Sequence, residues 1–363
     1  MPAPKRLGSG EEMSKKPTLR DVSQATGLSS FTVSRALSNG ADVSPTSRKR
    51  VLKAARELGY VPNRAAQELR KKTRSSIAVI TASTSNYYYL DLMKGIQHVL
   101  RGSNRNAVVA DIAAEGVYTA QVEDATVQDL IQSRTAGIIT TLTLSTQNIK
   151  LLETWDIPVV FVDSAPPADA AQVPSILTDN FTASMKAGAH LAQHGYTDWL
   201  FLAYPGRWST RAERERGLRE AATRYAAGLR VLETENDSQS AYETLSAYLD
   251  APGQVLPRAI IAGNNPLLHG VLTVLQQRGI KTPDEVALIA FDEFAWAPLL
   301  DPPLTVVDED SESIGVLAAQ TLTRILDGQL DAEQRGLPPV PDYRPEDRRE
   351  VSADLIVRRS CGC

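Results

Sequence analysis

Cysteine and histidine are scarce in this chain of 363 residues: it has two cysteines, Cys361 and Cys363, and four histidines. With no cysteine before Cys361 there is no disulfide framework to hold a fold, and a reducing compartment, the cytoplasm, is expected. Cys361-Gly362-Cys363 lacks the second pair of ligands that a closed zinc site needs, so it reads as a frayed tail. His190 and His194 stand at helical i, i+4 spacing without an evident third ligand and read as two surface histidines, so no metal is expected. Apolar runs are short, none near the ~20 residues that span a bilayer, and Met1 to Lys16 has no apolar core of a signal peptide, so neither membrane nor export is expected. Catalytic signatures are missing too: there is no G-x-S-x-G, P-loop, G-x-G-x-x-G after a strand, or H-E-x-x-H. Neither an enzyme nor a cofactor is expected.

What the chain does have is an uneven distribution of charge. The net charge of −4 divides into +10 over Met1 to Ser75 and −14 over the remainder. A basic module joined to an acidic one is the electrostatic footprint of a nucleic-acid-binding head on a body that avoids nucleic acid.

The basic part contains short helix patterns with their own start and stop signals. Thr18 can cap a first helix, with Asp21 in its first turn, Val22 and Ala25 facing inward, and Gly27 ending it. Ser29 caps a second helix, Ser30 to Ser38, with Val33 and Leu37 on one face. Asn39-Gly40 closes the pair as a helix-turn-helix. Ser44-Pro45 opens a third helix through Val51, Ala54 and Leu58 to Gly59, whose outer face carries Arg48, Lys49, Arg50, Lys53 and Arg56.

The second helix of such a motif lies in the major groove, which makes Ser30, Phe31, Thr32, Ser34 and Arg35 the candidates for base contact, with the cap Ser29 also assigned to the DNA-binding surface. Arg35 has the fork that fits guanine O6 and N7. Phe31 reads a thymine methyl, excludes water, or packs into the headpiece core. Thr18 and Ser44, at helix N-termini, suit phosphates.

Beyond Lys71-Lys72-Thr73-Arg74, apolar runs alternate with longer amphipathic stretches: Ile77 to Thr81, Val108 to Ile112, Gly137 to Thr140, Val159 to Val162, Leu200 to Ala203, Ala259 to Ala262 and Val286 to Phe291. This is a β-α-β pattern with largely parallel, buried strands. Ligands of such sheets gather at the carboxyl ends of strands. The polar and aromatic residues there include Tyr88 and Tyr89, Asp163, Asp179 and Asn180, Tyr204 with Arg211 and Arg214, Asn264 and Asn265, and Asp292. Forked polar groups with aromatics suit a polyhydroxylated ligand, although an Asp after a strand is equally a helix N-cap.

The segment from Thr18 to Leu37 with its Thr32-Val33-Ser34-Arg35, followed by Leu58-Gly59-Tyr60-Val61-Pro62-Asn63, closely resembles the LacI/GalR family of bacterial transcription regulators. A looser resemblance continues through Phe161-Val162-Asp163, Arg214-Glu215-Arg216-Gly217, Asn264-Asn265, Phe291-Asp292-Glu293, Pro302-Pro303-Leu304-Thr305 and Leu355-Ile356-Val357-Arg358. The resemblance implies an all-α helix-turn-helix headpiece plus an α/β two-lobed, periplasmic-binding-protein-like (type I) sensor domain. The expected divisions are a disordered tail at 1–16, the headpiece at 17–62, a hinge helix and linker at 63–75, and a sensor and dimerisation domain at 76–363. Within the sensor, the N-lobe is placed at 76–174 and 305–335, and the C-lobe at 175–304 and 336–363.

The resemblance also implies that Asn63, Ala66 and Leu69 belong to a hinge helix that enters the minor groove, with Leu69 as an apolar wedge. Gln67 and Glu68 depart from the family pattern there. Tyr88, Tyr89, Phe161, Asp163, Arg214, Asn264 and Asp292 make up the candidate effector set. Ser164 replaces the aromatic of purine-responsive members, which favours a sugar or sugar derivative. The implied protein is a repressor binding a palindromic operator in double-stranded DNA as a homodimer. The alternatives are control by a protein phosphocarrier, or a solute-binding protein without regulatory role.

Overall fold

The computed structural model describes residues 16–38, 43–63, 74–81, 86–103, 105–112, 118–206 and 208–363. The chain divides into two units, Met1–Thr73 and Arg74–Cys363. The expected tail at 1–16, apart from Lys16, and the hinge positions Ala66, Gln67, Glu68 and Leu69 lie outside the described residues.

The first unit has three described helices: α1 (Leu19–Thr26), α2 (Ser30–Leu37) and α3 (Pro45–Leu58). Each begins at the expected cap. Thr18 and Asp21 form a reciprocal capping box, while Ser29 and Ser44 accept hydrogen bonds from the backbone N–H of Thr32 and Ser47. Gly27 and Gly59 end α1 and α3 at φ of +63° and +67°, where a side chain would be strained. The small core comprises Val22, Val33, Ala36, Val51, Ala54 and Ala55. Two inward positions differ from expectation. Ala25 is exposed and Thr26 is buried instead, its hydroxyl donating to the Val22 carbonyl at 2.7 Å. Leu58 is largely exposed and Ala55 takes its place, because α3 turns a narrow small-residue face to its neighbours.

The second unit is built on two six-stranded sheets. The N-lobe sheet runs β2 (Asn106–Asp111), β1 (Ser76–Thr81), β3 (Gly137–Thr140), β4 (Val159–Val162), β5 (Ser175–Thr178), β11 (Arg348–Val351), every pairing parallel. The C-lobe sheet runs β7 (Gly228–Glu233), β6 (Asp198–Ala203), β8 (Ala259–Ala262), β9 (Ala287–Phe291), β10 (Thr305–Asp308), β12 (Asp354–Ile356), with β12 antiparallel. Helices follow most strands: α4 (Tyr87–Leu100), α5 (Ala120–Gln132), α6 (Thr146–Thr154), α7 (Asn180–Gln193), α8 (Ser209–Arg224), α9 (Ser238–Asp250), α10 (Asn265–Arg278) and the long α11 (Ser311–Gln334).

The expected lobe boundaries are corrected by strand pairing. β5 lies beside β4, so the first passage between lobes follows Thr178 rather than preceding Ser175. β10 pairs with β9 in the C-lobe and only α11 after it returns, packing on α4. β11 joins β5 in the N-lobe, and the chain recrosses before β12. The chain thus passes between lobes three times. Where α11 meets α4 the backbones nearly touch: a Cβ at Gly95 would lie 2.0 Å from the Glu312 carbonyl oxygen, and one at Gly315 would lie 2.2 Å from that of Leu92.

Candidate functional site: a headpiece helix and an acidic cleft

On the headpiece, the buried residues of α2 are Val33 and Ala36, which leaves Ser30, Phe31, Ser34 and Arg35 toward the other side. Phe31 is 72% exposed, so it does not pack into the headpiece core. The Arg35 guanidinium lies 5.7 Å from its ring centroid, an arrangement that gathers a forked cation and an aromatic on one surface. Ser29 and Thr32 hydroxyls pair at 2.9 Å at the helix start. Thr18 and Ser44 are exposed at their own helix starts, and Asn63 is exposed beyond α3.

In the sensor, Asn86, Tyr88, Tyr89, Asp163, Tyr204, Trp208, Thr210, Arg214, Asn236, Asn264 and Asp292 line a narrow cleft. The cleft lies at strand ends, as parallel-sheet topology requires. Asp163 follows β4 and Asp292 follows β9, at φ of +65° and +72°. Two aspartates in the left-handed region, one per lobe, are the kind of local strain that concentrates at ligand clamps. Of the expected effector residues, Tyr88, Tyr89, Asp163, Arg214, Asn264 and Asp292 line this space. Phe161 does not: its side chain is fully buried in the N-lobe core, because a central parallel strand is covered on both faces.

Arg214 organises the floor. Its Nε donates to Asn180 Oδ1 at 2.6 Å, one terminal nitrogen donates to the Gly263 carbonyl at 2.6 Å, and the other pairs with Glu309. Asp292 lies 3.9 Å away and the Phe291 ring centroid 4.1 Å from the guanidinium carbon. Glu309 also accepts from the Thr178 hydroxyl at 2.9 Å. Arg214 therefore fastens the first and second crossings to a C-lobe helix.

Arg214 forms ion pairs with Glu309 and Asp292, and burial raises the two aspartates of the cleft. Asp292 is pushed up to about 7 by burial, with Glu309 adding to the rise and Arg214 opposing it. Asp163 rises well above the usual carboxylate range by burial and then by the charge of Glu309. The Tyr88 phenol is raised by burial and then by the neighbouring Asp163, and its hydroxyl has no hydrogen-bond partner among the described residues. Tyr204 instead pairs with the Thr210 hydroxyl at 2.8 Å.

The lobes also meet directly. Asn86 donates to Asp292 at 3.4 Å and accepts from Asn265 at 3.3 Å, and Tyr87 stacks on Phe294 at 5.8 Å. Asn264 serves both as N-cap of α10, accepting from Leu267 N at 3.1 Å, and as cleft lining, donating to Asn236 at 2.7 Å. Arg211 turns away from the cleft to Glu215 and Glu233. Trp208, Thr210, Asn236 and Glu309 were not singled out from the sequence. Trp208, Asn236 and Glu309 sit in loops or at a crossing, where no periodicity marks a facing direction, and Thr210 lies in the first turn of α8.

Residues 18–63 match the model for bacterial regulatory proteins of the lacI family, and residues 74–357 match that for periplasmic binding proteins and the sugar binding domain of the LacI family. The chain belongs to the LacI family. This regulator is 26% identical over 310 residues to the HTH-type transcriptional repressor PurR of Vibrio campbellii, covering 84% of this chain and 90% of that one. Its fold is similar to that of the lac repressor dimer bound to operator and the anti-inducer ONPF, with a TM-score of 0.76 at 22% identity, covering 96% and 99% of the two chains. It is similar also to the transcriptional regulator CelR in complex with cellobiose, with a TM-score of 0.65 at 24% identity, covering 95% and 99%. A LacI-family protein with this headpiece and sensor is a transcription regulator rather than an enzyme. Among the described residues, no helix is long and apolar enough to cross a membrane.

Proposed function

We propose that this regulator is a repressor that binds a palindromic operator as a homodimer and is controlled by a neutral, hydroxyl-rich effector, a sugar or sugar derivative, held in the inter-lobe cleft. The observation that carries the effector reading is the polar lining of the cleft. Asp163 and Asp292 line it from the two lobes, and the buried Tyr88 hydroxyl beside them has no hydrogen-bond partner among the described residues. A buried polar group left unpaired is costly, and an array of ligand hydroxyls both donates and accepts without adding charge.

On DNA, Ser29, Ser30, Phe31, Thr32, Ser34 and Arg35 read the major groove while Thr18 and Ser44 hold phosphates. Asn63, Ala66 and Leu69 act at the minor groove, Leu69 as the wedge. Effector changes the closure of two lobes joined by three crossings, and it acts as a switch to the extent that it binds one closure more tightly than the other. A regulator of operator DNA works in the cytoplasm.

Selection of bound sequences from random duplexes at stated near-physiological salt tests the DNA part. A palindrome with half-sites about one helical turn apart supports it, and equal retention of all DNA refutes it. Calorimetric titration with candidate sugars tests the cleft. Heat that disappears in Asp292→Asn supports the assignment, whereas an unchanged titration in that variant overturns it. Silence with every sugar turns the reading toward a protein effector.

A further inference from the structure

Away from the cleft, the fold brings together the two residue pairs that looked incomplete in sequence. His190 lies in the last turn of α7 and His194 just past its end, one turn apart, with ring centroids separated by 4.7 Å. His190 Nε2 is 3.2 Å from Cys361 Sγ and 3.4 Å from Cys363 Sγ. His194 Nε2 is 3.2 Å from Cys363 Sγ, and the two sulfurs are 3.0 Å apart without being bonded to one another.

The segment bearing the thiols is not a frayed tail. Ser360 is fully buried, donating to the Leu288 carbonyl at 2.6 Å and accepting from Thr305 N at 2.8 Å, while its own N–H bonds Pro303 O at 3.0 Å. Cys361 is fully buried as well, with the Thr305 hydroxyl 3.0 Å from its sulfur. Gly362 adopts φ of +86°, and a Cβ there would lie 2.7 Å from the Tyr196 hydroxyl oxygen. Glycine lets the chain turn tightly enough that the thiols on either side of it reach the same point.

We propose that His190, His194 and Cys363, which already converge, bind zinc and draw in Cys361 as fourth ligand, forming a structural site that clamps the C-terminal segment to α7. Zinc bonds of about 2.3 Å to sulfur and about 2.0–2.1 Å to nitrogen give a tetrahedron with edges of roughly 3.3–3.8 Å. The three sulfur–nitrogen separations fall within a few tenths of an ångström of that figure, and the donors of His190, His194 and Cys363 all lie within 4.8 Å of one another, while the 3.0 Å between the two sulfurs has to widen for Cys361 to take the fourth corner. Two thiolates and two imidazoles favour zinc over magnesium or calcium, which take oxygen ligands. The histidine spacing, with three residues between, is that of Cys₂His₂ sites. On binding, both thiols lose their protons to solvent and each of the four donors contributes an electron pair. The clamp anchors one end of α7, whose other end carries Asn180 against Arg214 at the cleft floor.

The test uses the full, tag-free chain purified under reducing conditions. Elemental analysis should find one zinc per chain, removable by chelator. Cobalt(II) should then give the visible bands of a tetrahedral complex together with thiolate-to-cobalt charge transfer, and zinc should bleach both. Since the chain has two cysteines, both at this site, that charge-transfer band reports the cluster alone. Cys363→Ser and His194→Ala, both at exposed positions, should each weaken cobalt binding by about tenfold or more while leaving the far-ultraviolet circular dichroism unchanged. Free thiols that take up neither metal, or a cobalt spectrum that Cys363→Ser does not alter, would overturn the proposal. A Cys361–Cys363 disulfide that persists in the reduced preparation would overturn it equally.

Discussion

Arg214 on α8 and Glu309 on the second crossing form an ion pair whose side chains are 4% and 1% exposed. Arg214→Ala would leave the Glu309 charge buried without its partner, a loss of about 3–5 kcal/mol for such pairs. Urea unfolding should show a loss of that size, read as the midpoint shift multiplied by the denaturant slope. A change within experimental error would mean that the crossings are not held by this pair.

The raised carboxyl of Asp292 makes the sensor's stability depend on pH in a definite direction. Its folded pKa of about 7 exceeds the ordinary 3.8, so between those values the folded state binds more protons than the unfolded one. Its contribution to stability is therefore fully present below about 4 and is lost as pH rises to 7. Asp292→Asn, which stays neutral, should flatten this segment of the stability profile. An unchanged slope from pH 5 to 7 would place the titration elsewhere.

Phe31 supports a cleaner separation of folding from binding. Its exposure means that Phe31→Ala should alter headpiece stability by no more than ~0.5 kcal/mol. Operator affinity should fall, whereas affinity for unrelated DNA should hold. Arg35→Ala should cost about 1–3 kcal/mol at one base position and relax preference there. Gel-shift titrations with single-base operator variants distinguish the two.

The contact of α4 with α11 gives a packing test. Gly95→Ala places a methyl group 2.0 Å from a carbonyl oxygen, and neither backbone can yield without moving a helix. Overpacking of this kind costs about 1–3 kcal/mol, visible as a lower melting temperature of the sensor.

The sequence made legible those features that depend on local chemistry. Thr18, Ser29 and Ser44 capped where their hydroxyls and following residues required, and the central strands announced themselves as unbroken apolar runs. The edge strands β2 and β7 were harder to read, because partial exposure mixes polar residues among apolar ones. Lobe membership was misassigned for the same kind of reason. A four-residue strand such as β5 or β10 carries no mark of which sheet it will join, since that depends on which edge lies beside it. Asp163 and Asp292 were found because both follow apolar runs, whereas Glu309, between Asp308 and Asp310, looks like any acidic loop. The cluster of His190, His194, Cys361 and Cys363 is a long-range event, with some 170 residues separating its halves. Spacing rules see only one half at a time.

The triple passage of the chain between the lobes also governs how this molecule can be dissected. A fragment cut after Thr178 would carry five strands of the N-lobe sheet but neither β11 nor α11, which arrive from far downstream. No single proteolytic nick frees a lobe, and no contiguous stretch of gene encodes one. Recombination between relatives should therefore exchange headpieces at the boundary near residue 74, and should exchange sensors only whole.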